Sequence, residues 1–222
     1  MLIFFEIVQR IKFKLGLDRK NYLLKYVKSH QVNRILEIGV FNGNFAERLL
    51  SAVTRKSPES EIQYLGIDLF AEGLTHEKYL SEVSLIPDSF FSVQQRLSKF
   101  ENVKIELIQG DSVTVLPKIL DREKFDLIHI DGGHSYNTVL QDWLNVTNLI
   151  DEKSVVFFDD YVNSRGVTKG SFGVNRVVDS IDSKIFDKKL SVNRDFFWKD
   201  YGLLVLRVAK LSLKTENKNL AR

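Results

Sequence analysis

The chain has 222 residues, 44% of them hydrophobic and 27% charged, which is typical of one folded globular domain and excludes an intrinsically disordered protein. It contains no cysteine, so disulfides, a thiolate nucleophile and cysteine-ligated zinc are excluded. The net charge of +3 arises from basic residues scattered among acids, and we therefore expect no nucleic-acid partner.

The first 30 residues (1–30) are predicted to form an N-terminal helical segment. Its apolar start, Met1–Phe5, has no preceding positive residue and is too short to span a bilayer, so we expect neither a signal peptide nor a transmembrane helix. Between Arg10 and Lys20, basic and apolar residues alternate. We favour a helix packed on the domain or on a second copy in a homo-oligomer, with peripheral membrane contact as the weaker alternative. A cytoplasmic location is expected, since a chain without cysteine suits a reducing compartment.

Strands and helices alternate through residues 31–210, the predicted main domain. The strand Arg34–Ile38, the glycine turn Gly39–Gly43 and a helix lead to a second strand, Gln63–Asp68, and this unit is typical of a nucleotide-binding half-domain. The third strand, Val103–Gln109, alternates cleanly between apolar and polar residues. This order of elements predicts an α/β fold with a doubly wound, Rossmann-like sheet.

The fourth and fifth strands are followed by residues that suit a catalytic site. Leu127–Ile130 precedes the sequence Asp-Gly-Gly-His at positions 131–134, and Ser154–Phe158 precedes Asp159 and Asp160. In an open α/β sheet, ligands bind at the carboxyl ends of the strands. We therefore expect these acids and the histidine to lie together in a site.

The remaining segments are less regular. Two stretches are predicted to lie over the strand ends, Leu69–Pro87 as an insertion or lid and Val162–Phe172 as a mobile flap. The last two strands are predicted around Leu190–Val192 and over Gly202–Val208, separated by the aromatic sequence Phe-Phe-Trp. Residues 211–222 are predicted to be a polar, frayed tail.

The spacing around the glycine turn indicates which nucleotide binds. A dinucleotide site needs G-x-G-x-x-G, whereas this turn has the pattern E-x-G-x-x-x-G. Its acid, Glu37, would repel a pyrophosphate but attract the amino group of S-adenosylmethionine (SAM). Asp68 is expected to bind the ribose hydroxyls, and the acid after the third strand lies where an adenine would be held. The residues predicted to bind the cofactor are Glu37, Gly39, Gly43, Asp68, Asp111 and Ser112.

In their order and spacing, several motifs resemble those of the class I SAM-dependent methyltransferases: E-I-G-V-F-N-G, G-I-D-L-F, Q-G-D-S, F-D-L-I-H-I-D-G-G-H-S-Y and V-V-F-F-D-D-Y. The resemblance is strongest to the branch that groups small-molecule and sugar O-methyltransferases with cephalosporin-hydroxylase-like proteins, and it extends from about Arg34 to Val208. It implies a seven-stranded, mostly parallel sheet with the last strand antiparallel. It also implies that SAM lies over the first half of the sheet and the methyl acceptor over the fourth and fifth strand ends.

In metal-dependent members of that branch, the acid of the D-G-x-H motif and paired acids after the next strand hold magnesium. The resemblance therefore implies Mg²⁺ ligation by Asp131, Asp159 and Asp160, with Asp159 at a position where Glu is frequent, and a general-base role for His134. Clustered carboxylates are unfavourable unless a cation or protons neutralise them, and a bound metal ion would meet this need. An imidazole with an ordinary pKa of about 6.5 suits proton removal near neutral pH.

The sequence thus predicts a magnesium-assisted, SAM-dependent O-methyltransferase that acts on a hydroxyl of a small molecule or glycan. Two alternatives stay open, a metal-dependent oxygenase of the cephalosporin-hydroxylase type and a non-catalytic SAM-binding scaffold. Nucleic-acid methylation is disfavoured, since Asp-Gly-Gly-His replaces the D-P-P-Y or N-P-P-Y motif of N-methylating relatives. His129 is predicted to be a core residue inside its strand, and Arg165 and Lys169 are predicted to be solvated loop charges.

Overall fold

The computed structural model describes residues 11–12, 15–74, 86–162, 173–199 and 202–214. Within these ranges the strands are β1 (Arg34–Ile38), β2 (Ile62–Asp68), β3 (Val103–Gln109), β4 (Leu127–Ile130), β5 (Val155–Val162), β6 (Phe186–Leu190), β7 (Asp195–Lys199) and β8 (Gly202–Leu213). They form one sheet in the order β3-β2-β1-β4-β5-β8-β6, and β7 pairs with β8. Strands β1 to β5 are parallel to their neighbours in this group, whereas β8 is antiparallel to β5, β6 and β7. The predicted doubly wound, mostly parallel sheet with an antiparallel last strand is confirmed.

The described sheet has one strand more than the predicted seven, because β8 is long enough to pair with β6 and β7 as well as with β5. Its first part, from Gly202 to Leu206, pairs with β7, and its last part, from Ala209 to Leu213, pairs with β6. The aromatic sequence that was predicted to separate the last two strands therefore lies in β7. Aromatic residues favour strands, so the composition agrees with the observed structure.

The last strand extends beyond residue 211, where the polar tail was predicted to begin. Strand β8 continues three residues beyond Lys210, where Leu211 is buried and pairs with Val156 of β5. Its neighbour Ser212 faces away from that core, as the two-residue period of a strand requires. The tail residues 215–222 lie outside the described part of the chain.

Helices cover both faces of the sheet. Those that lie wholly within the described residues are α1 (Asn21–Ser29), α2 (Asn44–Lys56), α3 (Phe70–Gly73), α4 (Phe90–Leu97), α5 (Ser112–Val115), α6 (Tyr136–Val146) and α7 (Gly173–Ser180), with short 3₁₀ turns at Leu116–Ile119 and Thr147–Leu149. Alternate strand residues face two cores, so that Ile35 and Phe157 pack with α1, α2 and α4, whereas Leu36 and Phe158 pack with α6 and α7. Helix α1 therefore packs in the same core as β1 and β5, although the boundary predicted between residues 30 and 31 placed it outside the main domain.

Several predicted segments lie outside the described residues. The predicted lid is described only at its start, which includes α3, and at residues 86 and 87. The predicted flap is described only at Val162, so Arg165 and Lys169 are outside. Among the described ranges we find no helix with the length and apolar character of a membrane span.

Candidate active site

The carboxyl ends of the parallel strands form one edge with two chemically different halves. The glycine-turn half consists of the ends of β1, β2 and β3, with the turn at residues 39–43 and the acids Asp68 and Asp111. The acid half consists of the ends of β4 and β5, with the motif at residues 131–134 and the acid pair at 159–160. The geometry of the glycine-turn half is set by the backbone.

The glycine turn is held in a left-handed conformation at three positions. Gly39, Phe41 and Gly43 have φ angles of 87°, 57° and 72°. A Cβ at Gly39 would lie 2.1 Å from the carbonyl oxygen of Asp131, because the end of β1 approaches the end of β4 closely. Only glycine suits this position, since it has both the positive φ and the missing side chain. Gly43 then precedes the first residue of α2.

Asp68, at the end of β2, stabilises this turn through hydrogen bonds to the backbone. Its carboxylate accepts the backbone N–H of Phe41 at 2.8 Å and that of Phe70 at 2.7 Å. Burial raises the pKa of Asp68, and these amide hydrogen bonds oppose the rise. Each carboxylate oxygen has two lone pairs, so Asp68 retains acceptor capacity for a ligand.

The third strand end joins the same half. The backbone N–H of Gly110 donates to the carbonyl oxygen of Asp68 at 2.9 Å, which places the two strand ends side by side. Asp111 caps α5 by accepting the N–H of Val113 at 3.1 Å, and Ser112 is the first residue of that helix. The structure thus brings five of the six predicted cofactor residues to one edge.

Glu37, the sixth, lies inside the core with only 1% of its surface exposed. The Tyr64 hydroxyl donates to one of its oxygens at 2.5 Å, and Nδ1 of His129 lies 3.2 Å from the other. Burial, followed by the nearby Glu37 carboxylate, raises the pKa of Tyr64 well above its ordinary value. His129 is fully buried, as predicted for a core residue, although its Nε2 has no hydrogen-bond partner among the described residues.

In the acid half, the acid pair does not follow β5 as predicted but lies within it. The register against β8 shifts between Phe158 and Tyr161, so the two acids form a bulge, and Asp160 has a φ of 54°. Bulges re-aim side chains next to functional sites. Asp159 is 1% exposed, so its charge needs partners from the protein.

Arg19 supplies the main partner. Its Nε and Nη2 donate to the two oxygens of Asp159 at 2.5 and 3.0 Å, and Nη2 also donates to Asp160. Its Nη1 and backbone N–H donate to Asp195, at 3.0 and 3.1 Å. Burial would raise the pKa of Asp159, but Arg19 and Lys20 hold it well below its usual range. One buried guanidinium therefore joins the N-terminal segment to β5 and β7.

Lys20 occupies the position between the ends of β4 and β5. Its ammonium donates to Asp131 and lies 3.2 Å from an oxygen of Asp159. The same nitrogen lies 4.9 Å from the ring centroid of Phe45, a cation-π distance. Burial alone would lower the pKa of Lys20, but the two carboxylates raise it above its ordinary value. Burial raises the pKa of Asp131 to about 6, although Lys20 lies beside it.

His134 is the most accessible member of the acid half, with 42% of its side chain exposed. Its Nε2 lies 2.9 Å from Oδ2 of Asp160. This hydrogen bond raises the pKa of His134 to about 9, so the imidazole is protonated at neutral pH and Nε2 donates to the carboxylate. The predicted base and one predicted metal ligand thus form an ion pair with each other.

The acids are of the type that binds magnesium, but their present partners occupy them. Two sets of residues could each offer ligand atoms that lie within 4.8 Å of one another. One set is His129, Asp131 and Asp159, and the other is Asp131, His134 and Asp160. Every carboxylate in these sets already accepts from Arg19, Lys20 or His134. In this arrangement the residues do not fit a magnesium ion, because the Lys20 ammonium lies where the ion would join Asp131 to Asp159.

Sequence reasoning missed Arg19, Lys20 and Asp195 as members of this site. The two basic residues were assigned to an amphipathic segment, and Asp195 lies in β7, which was not predicted. The available signal was chemical, since three acids predicted to cluster required cations and the chain carries an adjacent Arg-Lys pair. No local pattern connects position 19 with position 159.

Comparisons with known proteins agree with the fold. A family model described as a methyltransferase domain matches residues 36–161, more than half of the chain. Among solved structures, the O-methyltransferase TomG from Streptomyces achromogenes in complex with SAM is 19% identical, with a TM-score of 0.55 over 86% of this chain and 78% of that one. An O-methyltransferase from Bacillus cereus in complex with SAH is 14% identical (TM-score 0.58; 94% and 90% covered). An rRNA methylase from Streptococcus thermophilus is also 14% identical (TM-score 0.57; 88% and 97% covered). No curated protein sequence matches the chain significantly.

Proposed function

Since the chain belongs to the class I SAM-dependent methyltransferases, we propose that it methylates a hydroxyl oxygen of a small molecule or glycan. The observation that carries this proposal is the exposed His134, hydrogen-bonded to Asp160 at the edge where the glycine turn also lies. A hydroxyl acceptor must lose a proton, and a histidine is the side chain best suited to remove it. The O-methyltransferases among the structural neighbours share this fold, and we transfer their reaction class to this chain as part of the proposal.

We assign cofactor binding to the glycine-turn half. When bound, SAM supplies a methyl group on a positively charged sulfur. Asp68 and Asp111, at adjacent strand ends, suit the hydroxyl and amino donors of its adenosine moiety. Gly39 and Gly43 give the turn its left-handed backbone conformation at both ends. Glu37 is proposed to act from within the core, by holding the β1 end through Tyr64 and His129 rather than through direct contact.

His134 is proposed to act as the general base in its neutral form. Because the hydrogen bond to Asp160 raises its pKa to about 9, the neutral form is a small fraction at pH 7 and increases with pH. Turnover should therefore rise from pH 7 towards pH 9. Asp160 holds the ring in place and, through its own contact with Arg19, stays ionised.

Magnesium assistance stays a prediction from the sequence. The donor oxygens would be those of Asp131, Asp159 and Asp160. In the structure these carboxylates are paired with Arg19 and Lys20. The proposed methyl transfer therefore includes no step that uses a metal ion. The cytoplasmic location and a homo-oligomeric state likewise stay predictions.

The test is a product assay with the purified protein, isotopically labelled SAM and a panel of hydroxylated small molecules and glycans. The expected result is a product that gains one methyl group on oxygen, with formation lost in His134→Ala while binding of the SAM product SAH is retained. Label found only on nitrogen or carbon would contradict the proposed acceptor. Oxygen consumption without a methylated product would favour the oxygenase alternative instead.

A further inference from the structure

We propose that Arg19 and Lys20 are a built-in replacement for the divalent cation at the ends of β4 and β5, so that methyl transfer in this chain is metal-independent. The inference rests on the proposed function for its consequence in catalysis. Its structural part rests on ion pairs, burial and chain connectivity alone.

The acids at this edge already have cationic partners. Four carboxylates meet in this cluster, those of Asp131, Asp159, Asp160 and Asp195, and each has at least one cationic partner. The cations are the ammonium groups of Lys12 and Lys20 and the guanidinium of Arg19. These three cationic side chains already bind all four carboxylates. A dication added to this cluster would be repelled at close range by an ammonium and a guanidinium.

The Lys20 nitrogen occupies the position that a bridging metal ion would need. A divalent ion that bridged β4 and β5 would need oxygens from Asp131 and Asp159, and the Lys20 nitrogen already bonds both. The same nitrogen lies over the face of the Phe45 ring, 4.9 Å from its centroid. This aromatic face suits a single-charged ammonium but offers no ligand atom to a metal.

Arg19 and Lys20 are also held in place by contacts other than their own ion pairs. Helix α1 starts one residue after Lys20, and its Leu23, Leu24 and Val27 are buried in the core. Just before Arg19, the carboxylate of Asp18 accepts from Arg48 at 2.9 Å. The segment is therefore anchored on both sides, and the two basic side chains are delivered to the strand ends by a packed element.

The consequence for chemistry concerns Lys20. About a fifth of its side chain is exposed (22%), whereas Arg19 is covered more fully and bonds three carboxylates. Lys20 is thus the cation that can stabilise negative charge on an acceptor oxygen near His134, while Arg19 fixes the acids. Preorganised charge of this kind stabilises a developing oxyanion without a metal.

The test is a titration of the full chain with Mn²⁺, followed by electron paramagnetic resonance of the free ion, with Mg²⁺ calorimetry as a second probe. Wild-type protein should show no saturable binding at millimolar ion. Lys20→Met should gain a site, and addition of Asp131→Asn should remove it. Lys25→Met, an exposed lysine on the neighbouring helix, is the matched control and should behave like wild type.

Two results would overturn the inference. One is saturable Mn²⁺ binding by wild type that is lost in Asp131→Asn. The other is no gain of binding in either Lys20→Met or the milder Lys20→Gln, with folding of both verified by circular dichroism. With an identified acceptor, turnover should persist in EDTA and fall about 100-fold in Lys20→Met. SAH binding by wild type is measured separately, so failure of the cofactor assignment is distinguished from failure of the metal-free inference.

Discussion

The two halves of the sheet edge are built by different means. In the glycine-turn half, backbone geometry dominates, with left-handed residues at 39, 41 and 43 and a carboxylate that binds two backbone amides. In the acid half, side-chain charge dominates, and the carboxylates are bonded by cations from a segment more than 100 positions away in the chain. A fixed backbone shape suits a cofactor that is shared by a whole family. The acid half, by contrast, can change through exchange of its charged side chains.

The largest effect is expected from removing the main cation of the acid half. Arg19→Met leaves Asp159, Asp160 and Asp195 with fewer partners, and breaking a buried ion pair from one side costs about 3–5 kcal/mol. Urea unfolding should show this loss in the free energy of unfolding. Arg55→Met, an exposed arginine on α2, should change it little. A loss in Arg19→Met no larger than in this control would show that the cluster does not depend on Arg19.

The matching change in the glycine-turn half is Gly39→Ala. A methyl group would meet the Asp131 carbonyl at 2.1 Å in a residue with positive φ, so we expect a cost of about 2–3 kcal/mol and weakened SAH binding. Gly132→Ala is the control, since the atom nearest to its added Cβ would be a methyl carbon of Ile38 at 3.3 Å. Thermal unfolding measures the change in stability, and calorimetry measures the change in SAH affinity. Equal effects in the two variants would contradict a special role for the turn.

A smaller effect is expected beneath the two halves, at the buried Glu37. Tyr64→Phe removes a hydrogen bond to a carboxylate, at a cost of about 1.5–3 kcal/mol in the free energy of unfolding. Tyr22→Phe serves as control, because its hydroxyl makes no hydrogen bond within the described residues. An unchanged free energy in Tyr64→Phe would mean that Glu37 does not need this donor.

The smallest change concerns protonation of His134. Asp160→Asn removes the charge that raises its pKa, and Asn also tolerates the positive φ at this position. We expect the pKa to fall from about 9 towards the ordinary 6.5, measured by NMR titration of the imidazole. Because the folded pKa is raised, the pair stabilises the fold fully below pH 6.5, and this contribution is lost as pH rises through about 9. An unchanged pKa in Asp160→Asn would contradict the pairing.

Local patterns account for what could be predicted from the sequence. The glycine spacing, the acid at the end of β2 and the motif at 131–134 are contiguous or strand-terminal, and the structure brings each to the expected edge. The extra strand β7 and the partners of Asp159 depend on tertiary pairing between distant segments, which no periodicity encodes. Glu37 shows the same limit, because its burial depends on Tyr64 and His129 from two neighbouring strands.

The most direct test of the account is calorimetric titration of the purified protein with SAH, in EDTA and in excess Mg²⁺. We predict saturable binding of equal affinity under both conditions, weakened by Gly39→Ala and retained in Lys20→Met. In this account, the backbone at this sheet edge binds the cofactor and the chain's own cations neutralise the acids. Absence of SAH binding to wild type, or SAH binding that EDTA abolishes, would contradict it.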